Sequence, residues 1–271
     1  MKSISLRLRH PPALRIDMRG VTPAALAGLT LADIERMGLP HGNSSLPLGE
    51  LFDITQADAA EAELRLQGDL SRFDRIGWQL AAGRMVVEGA VGDYAGGGMT
   101  GGDLQVHGSA AALAACEMAG GTLRIEGSVG DFAASTLPGS MDGMRGGLLV
   151  VGGNAGARFG DRMRRGTALV FGDAGDFLAS RLVAGTIAIG GGCGLHPAYG
   201  MRRGSLVFAG AAPEVPNGFV PAMADADVFW QLLSRDRARH GGVFATLPRR
   251  SIARHLGDVS AGGKGELILA L

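Results

Sequence analysis

The chain has 271 residues, and its 26 Lys and Arg against 26 Asp and Glu leave a formal charge of zero. That balance argues against a nucleic-acid-binding protein held by bulk charge, and 46 % hydrophobic content argues against disorder. With two cysteines, the chain alone builds no disulfide scaffold, four-Cys zinc site or Cys-ligated iron–sulfur cluster.

The opening residues lack the apolar core of a signal peptide, and no run approaches the roughly 18 apolar residues of a membrane span. A soluble cytoplasmic protein is therefore expected. Alternating runs at residues 3–9 and 14–18 predict short strands. Thr22-Pro23-Ala24 signals a helix start with Pro in the first turn, and Leu26, Leu29, Ile34 and Met37 supply an apolar side for one or two short helices. Pro40-His41-Gly42-Asn43 reads as a turn. Residues 1–61 are assigned to an N-terminal α/β cap.

An internal repeat organises the middle of the chain. The pattern Gly-x-apolar-x-apolar-x-Gly begins at Gly83, Gly102, Gly121, Gly147, Gly166, Gly185 and Gly204, in steps of 19, 19, 26, 19, 19 and 19 residues. A weaker copy, Leu64-Arg65-Leu66-Gln67-Gly68, precedes them. The apolar pairs, such as Leu104/Val106 and Ile187/Ile189, alternate with period two and so predict a strand with one buried face. Eight places after the first glycine come Val91, Ala110, Val129, Ala155, Ala174 and Cys193, all small or apolar. A second inward column is Leu80, Met99, Met118, Met144, Met163, Leu182 and Met201, read as core rather than a soft-metal track. Nineteen residues hold no helix of normal length, and the glycines are available for φ > 0 corners. Residues 62–212 are therefore expected to form a right-handed parallel β-helix of about eight coils, roughly 38 Å long.

The 26-residue step carries seven extra residues within 133–143, read either as a tolerated insertion or as a loop that meets a partner. Residues 213–271 form a C-terminal cap and tail. Within it 213–221 is a linker, and Asp225 caps a helix whose Val228, Phe229, Leu232 and Leu233 face inward.

Chemistry-bearing motifs are sparse. Gly96 to Gly101 satisfies G-x-G-x-x-G but falls at a coil corner, without the strand-then-helix setting that holds a pyrophosphate. Gly262-Gly263-Lys264-Gly265 lacks the Ser or Thr of a P-loop. The six histidines show no metal-ligand spacing, and His107 sits at an outward offset. Cys116 and Cys193 read as small buried or half-buried hydrophobes. Asp93, Asp131 and Asp176 recur on alternate coils, too far apart for a catalytic carboxylate pair and better suited to corner hydrogen bonds. No catalytic residue and no metal ligand is assigned.

Arginine is more informative. Arg145, Arg164, Arg165, Arg202 and Arg203 come directly after buried-column methionines, forming a ridge at one corner of three coils. Such a ridge is either a solvated edge that discourages aggregation or a site for carboxylates or phosphates, with Lys264 a further candidate.

The coils, with Leu48-Gly49-Glu50-Leu51-Phe52-Asp53 before them and Gly257-Asp258 and Gly263-Lys264-Gly265-Glu266 after, resemble the C subunit of formylmethanofuran dehydrogenase over nearly the whole chain. The coils alone are also similar to the Gly-rich domain of the glutamate synthase large subunit, a regulatory or structural module. The flanking segments separate the two. The resemblance implies a non-catalytic scaffold subunit, with metal chemistry confined to partner subunits. In the bacterial branch, a formyltransferase/hydrolase complex moves formyl from tetrahydromethanopterin to a methanofuran-type carrier and hydrolyses it to formate during one-carbon oxidation. Its implied partners are an amidohydrolase-like hydrolase subunit, a dehydrogenase-like B subunit and a formyltransferase subunit. The alternative branch is a molybdenum or tungsten formylmethanofuran dehydrogenase. The 24 Arg against two Lys favour the bacterial one. Parallel β-helices also include carbohydrate-cleaving enzymes, but no acidic trio falls within one coil here.

Overall fold

The computed structural model describes residues 2–223 and 226–271. The N-terminal part contributes β1 (Lys2–Leu8), β2 (Ile16–Asp17), α1 (Pro23–Leu26), α2 (Leu31–Glu35), β3 (Gly38–His41), β4 (Ser44–Pro47), α3 (Leu48–Leu51) and β5 (Phe52–Asp58). The repeats contribute β6 (Glu63–Gln67), β7 (Phe73–Asp74), β8 (Arg84–Glu88), β9 (Thr100–Val106), β10 (Gly120–Ile125), β11 (Arg145–Val151), β12 (Arg165–Val170), β13 (Thr186–Ile189) and β14 (Arg203–Phe208). After them come β15 (Val220–Pro221), α4 (Asp227–Ala238), a 3-10 segment (Gly242–Arg249), β16 (Ile252–Gly257) and β17 (Lys264–Ala270).

Thirteen of the described strands make one sheet, in the order β15-β16-β17-β14-β13-β12-β11-β10-β9-β8-β6-β1-β5. Its nine pairings from β1·β6 to β14·β17 are all parallel. The fold is thus mainly β around a large, mostly parallel sheet, compatible with a β-helix. A parallel register places like residues over like: Leu64, Met85, Leu104, Leu123, Leu149, Ala168, Ile187, Leu206 and Leu267 form one buried column. The expected small column from Val91 to Cys193 pairs by parallel bridges and begins one turn earlier, at Leu70. Leu80, Met99, Met118, Met144, Met163, Leu182 and Met201 are all buried in the same core.

The ends meet the sheet more intimately than the sequence suggests. β1 pairs in parallel with β6, and β17 with β14, so segments read as flanking caps extend the sheet itself. α1 and α2 form as expected, with Thr22 and Thr30 as N-caps, and Asp33 closes a capping box on Thr30. Pro40 and His41 belong to β3, and only Gly42 and Asn43 make its turn into β4.

The C-terminal helix corrects the expectation most clearly. Asp225 lies outside the described residues. Val228 and Leu232 are 76 % and 67 % exposed, Phe229 is exposed, and the buried face carries Trp230, Ser234 and Arg237, with Leu233 half-buried. The indole decides the rotation: Trp230 Nε1 donates to the Arg250 carbonyl at 3.0 Å while its ring joins Phe244 and Leu247 over Leu169, Ala188, Val207 and Ile268. Among the described residues no helix is long and apolar enough to cross a membrane.

The repeat glycines divide into two roles. The first of each pair takes φ between +71° and +103° at Gly102, Gly121, Gly147, Gly166, Gly185 and Gly204. At the second the reason is mostly space: a Cβ on Gly172 would lie 2.1 Å from Asn154 Oδ1 and 2.8 Å from the Gly153 carbonyl oxygen. Gly121 combines both constraints, with φ +80° and a Cβ that would sit 2.3 Å from the Gly101 carbonyl oxygen, whereas Gly139, at φ +84°, has nothing within 4 Å. Gly121→Ala is therefore expected to cost roughly 2–5 kcal/mol and Gly139→Ala about 1–2 kcal/mol, read from urea unfolding midpoints. Equal losses would show that close approach between coils is not the constraint.

Candidate functional site

The arginine ridge begins with backbone hydrogen bonds at one corner. The Arg164 N–H donates to the Met144 carbonyl at 2.8 Å, Val183 to Met163 at 2.9 Å and Arg202 to Leu182 at 2.8 Å. Each bond holds the residue after a buried side chain at the surface, so adjacent coils present their outward residues in register. Arg145, Arg164, Arg165, Arg202 and Arg203 line one groove of about 550 Å³, floored by Val183 and Ala184. Lys264 pairs in register with Arg203 on the neighbouring strand and extends the cationic row by one step. All six predicted residues therefore share this edge, five of them around the groove.

Their charges are unevenly answered. Asp142, carried by the seven-residue insertion, forms an ion pair with Arg164. Arg145 reaches the Glu117 carboxylate at 4.0 Å and its carbonyl at 3.4 Å. Arg165, Arg202 and Arg203 have no acidic partner among the described residues. Beside the groove, Arg181 holds the buried Asp161 carboxylate through bonds of 2.8–3.0 Å, so that guanidinium is structurally committed.

The corner aspartates and His107 have local partners of their own. Asp93, Asp131 and Asp176 accept the N–H of Ala112, Ala157 and Leu195, one coil further on, at 3.0, 2.8 and 2.7 Å. Asp74 does the same for Asp93 at 2.9 Å. His107 contacts Glu126 through Nδ1 at 2.8 Å on the outer face of the sheet. Gly96 and Gly98 take left-handed corner geometry, and Lys264 opens a strand, so neither Gly-rich motif forms a phosphate loop. Among the described residues, no three His, Cys, Asp or Glu groups are placed to hold a metal.

Two features are not apparent from the sequence pattern. The corner positions Tyr94, Leu113, Phe132, Arg158, Phe177 and His196 all have φ near +60°, and the second residue after each repeats it, as at Ala115, Ala134 and Ala179. Non-glycine residues tolerate this because their N–H groups bond between coils, as Tyr94 does to the Ala112 carbonyl at 2.9 Å. On that outer corner Arg75 stacks 4.7 Å from the Tyr94 ring, and Arg158 lies 4.8 Å from Phe177 and 5.8 Å from Phe132. The shared 19-residue offset was the available signal. The other feature is the exposed Val228/Phe229/Leu232 stripe of α4.

No profile of a known protein family matches the chain. A solved structure of the formyltransferase/hydrolase complex (FhcABCD) from Methylorubrum extorquens, in complex with methylofuran, contains a chain 39 % identical to this one. The two superimpose with a TM-score of 0.92 over 98 % of this chain and 99 % of that one. By sequence, the C subunit of the formyltransferase/hydrolase complex Fhc of Methylorubrum extorquens is 40 % identical over 88 residues, 32 % of either chain. The C subunit of tungsten-containing formylmethanofuran dehydrogenase 2 of Methanothermobacter wolfeii is 31 % identical over 101 residues, 36 % of this chain and 37 % of that one. The aligned stretches thus span about a third of the length of these curated relatives.

Neither thiol is poised as a nucleophile. Burial, helped by Glu117, pushes Cys116 up to about 12, and burial with Asp176 pushes Cys193 up to about 11. At pH 8 the native chain is expected to leave both unmodified by Ellman's reagent over a period in which the urea-unfolded chain reacts at both. Fast labelling of native Cys193 would contradict this.

Proposed function

The chain belongs to the family formed by the C subunit of formylmethanofuran dehydrogenase and its formyltransferase/hydrolase-complex counterparts, and on that footing we propose that it is the scaffold subunit of such a complex. The observation that carries this reading is the end-to-end superposition on a chain of FhcABCD at 39 % identity. The complex would transfer formyl from tetrahydromethanopterin to a methanofuran-type carrier and hydrolyse it to formate in the cytoplasm. An amidohydrolase-like hydrolase, a dehydrogenase-like B subunit and a formyltransferase would be the partners, and the metal chemistry would belong to them. A molybdenum or tungsten dehydrogenase is the second reading, favoured by the match to the Methanothermobacter wolfeii protein. It covers a smaller part of the chain.

In this proposal residues 62–212 wind as a right-handed β-helix of about eight 19-residue coils, with 1–61 and 213–271 as its caps. Continuous parallel pairing supports it, because a rod of stacked coils resists bending and holds bound subunits at fixed separation. The chain itself would perform no chemistry. Its ridge of Arg145, Arg164, Arg165, Arg202 and Arg203, with Lys264 beside it, would hold the glutamyl carboxylates of the carrier tail.

Co-expression with the hydrolase and formyltransferase subunits is expected to yield one complex, whereas the purified chain alone turns over no formyl carrier. Turnover by the lone chain, or an active complex that forms without it, would refute the scaffold role. Replacing Arg165, Arg202 and Arg203 together by Gln removes three exposed charge contacts of about 0.5–1 kcal/mol each. The KM for the carrier in the assembled complex should rise roughly 10- to 100-fold, with an effect that shrinks at high salt. Unchanged kinetics would remove the ridge from carrier binding.

A further inference from the structure

The outer corner of the coils carries a ladder with one closed end and one open end. Arg75, Tyr94, Leu113, Phe132, Arg158, Phe177 and His196 stand on successive coils, all with φ between +56° and +63°. Gly or Asn would hold that backbone with less strain, so the backbone is not what calls for a ring there. The planar groups stack: the Arg158 guanidinium lies 5.8 Å from the Phe132 ring and 4.8 Å from Phe177. The Phe177 and His196 ring centres are 5.0 Å apart at a tilt of 35°. At the first end Arg75 is tied to Asp17 by a bond of 3.0 Å.

At the other end the pattern stops. The N–H groups of Tyr94, Leu113, Phe132, Arg158 and Phe177 each donate to a carbonyl on the next coil at 2.7–2.9 Å. His196 makes no such bond among the described residues, and the parallel bridges of the small column end at Cys193. The same φ directs the His196 N–H to the same side as those before it. There, where an eighth step would stand, is a cavity of about 510 Å³ bounded by His196 and residues 213–217. Val215, half-buried against the core, and Pro216 give it an apolar wall. Glu214 and Asn217 also line it, and neither side chain has a hydrogen-bond or ionic partner among the described residues.

We propose that this cavity binds a planar nitrogen heteroaromatic ring. The ring stacks on exposed His196 as the next step of the ladder, accepts a hydrogen bond from the His196 N–H and donates one to Glu214. Flat faces pack best on flat faces, and the cavity has the volume of an ordinary small-molecule site. A hydrocarbon ring would leave the N–H and the carboxylate unanswered. The carboxylate also selects a ring edge that bears N–H donors over an anionic one. The cavity shares no residue with the arginine groove.

The probe for the full-length chain is 2-aminopurine riboside, whose fluorescence falls when the base stacks. Saturable quenching is expected, with the His196 ring protons shifted upfield. Purine riboside, which lacks the amino donor, should compete about fivefold more weakly, the loss of one hydrogen bond. His196→Asn suits the left-handed backbone but has no aromatic face, and should weaken binding at least about tenfold, whereas His196→Phe retains it. Glu214→Ala should bring the two ribosides within about twofold of each other. Both positions are exposed, and unchanged thermal midpoints verify that the variants fold. Absence of saturable quenching, or affinity unchanged by His196→Asn, would overturn the ring site. Equal affinity of the parent chain for the two ribosides would overturn the donor contact to Glu214.

Discussion

Main-chain hydrogen bonds between successive coils bring backbone so close to backbone that a methyl group cannot be inserted at the repeat glycines. Gly121, Gly147, Gly166 and Gly204 each hold a would-be Cβ 2.3–2.8 Å from the carbonyl oxygen of a residue on the repeat before. This close approach sets one spacing for the whole stack and makes every coil register with its neighbours. The buried columns follow from it, since parallel pairing at constant spacing puts leucine over leucine and methionine over methionine. The Asp and Asn residues at the corners reinforce the same spacing by accepting the N–H of the next coil, as Asn154 does from Asp173 at 2.9 Å.

A lattice of that kind also disposes the surface. Residues at one offset stand in a line along the stack, so a change of residue type from coil to coil is read out as a change along a groove. On one edge this yields arginines, then Val183 and Ala184, then arginines again. On another it yields the Arg75–Tyr94 and Arg158–Phe177 stacks. Acidic neighbours decide which cations are available. Arg181 is spent on a buried carboxylate and Arg164 is paired with the insertion loop, while Arg165, Arg202 and Arg203 face the groove.

Three things were legible in the residues alone: the 19-residue period, the inward identity of its columns, and the arginines that come after the buried methionines. Period-two alternation and fixed offsets are local signals, and they survive because each coil repeats the same environment. Other outcomes emerge only in three dimensions: β1 and β17 join the sheet, α4 turns Trp230 rather than Val228 and Leu232 inward, and alternate residues such as Phe132 and Ala134 take left-handed backbone between the strands. So does the choice of Asp142 as the partner of Arg164, while Arg165, Arg202 and Arg203 have no acidic partner among the described residues. These outcomes depend on hydrogen bonds and packing between segments far apart in the chain, such as the Trp230 indole on the Arg250 carbonyl. No pattern of neighbouring residues encodes a contact of that kind, whereas a repeating coil encodes its own core in every turn.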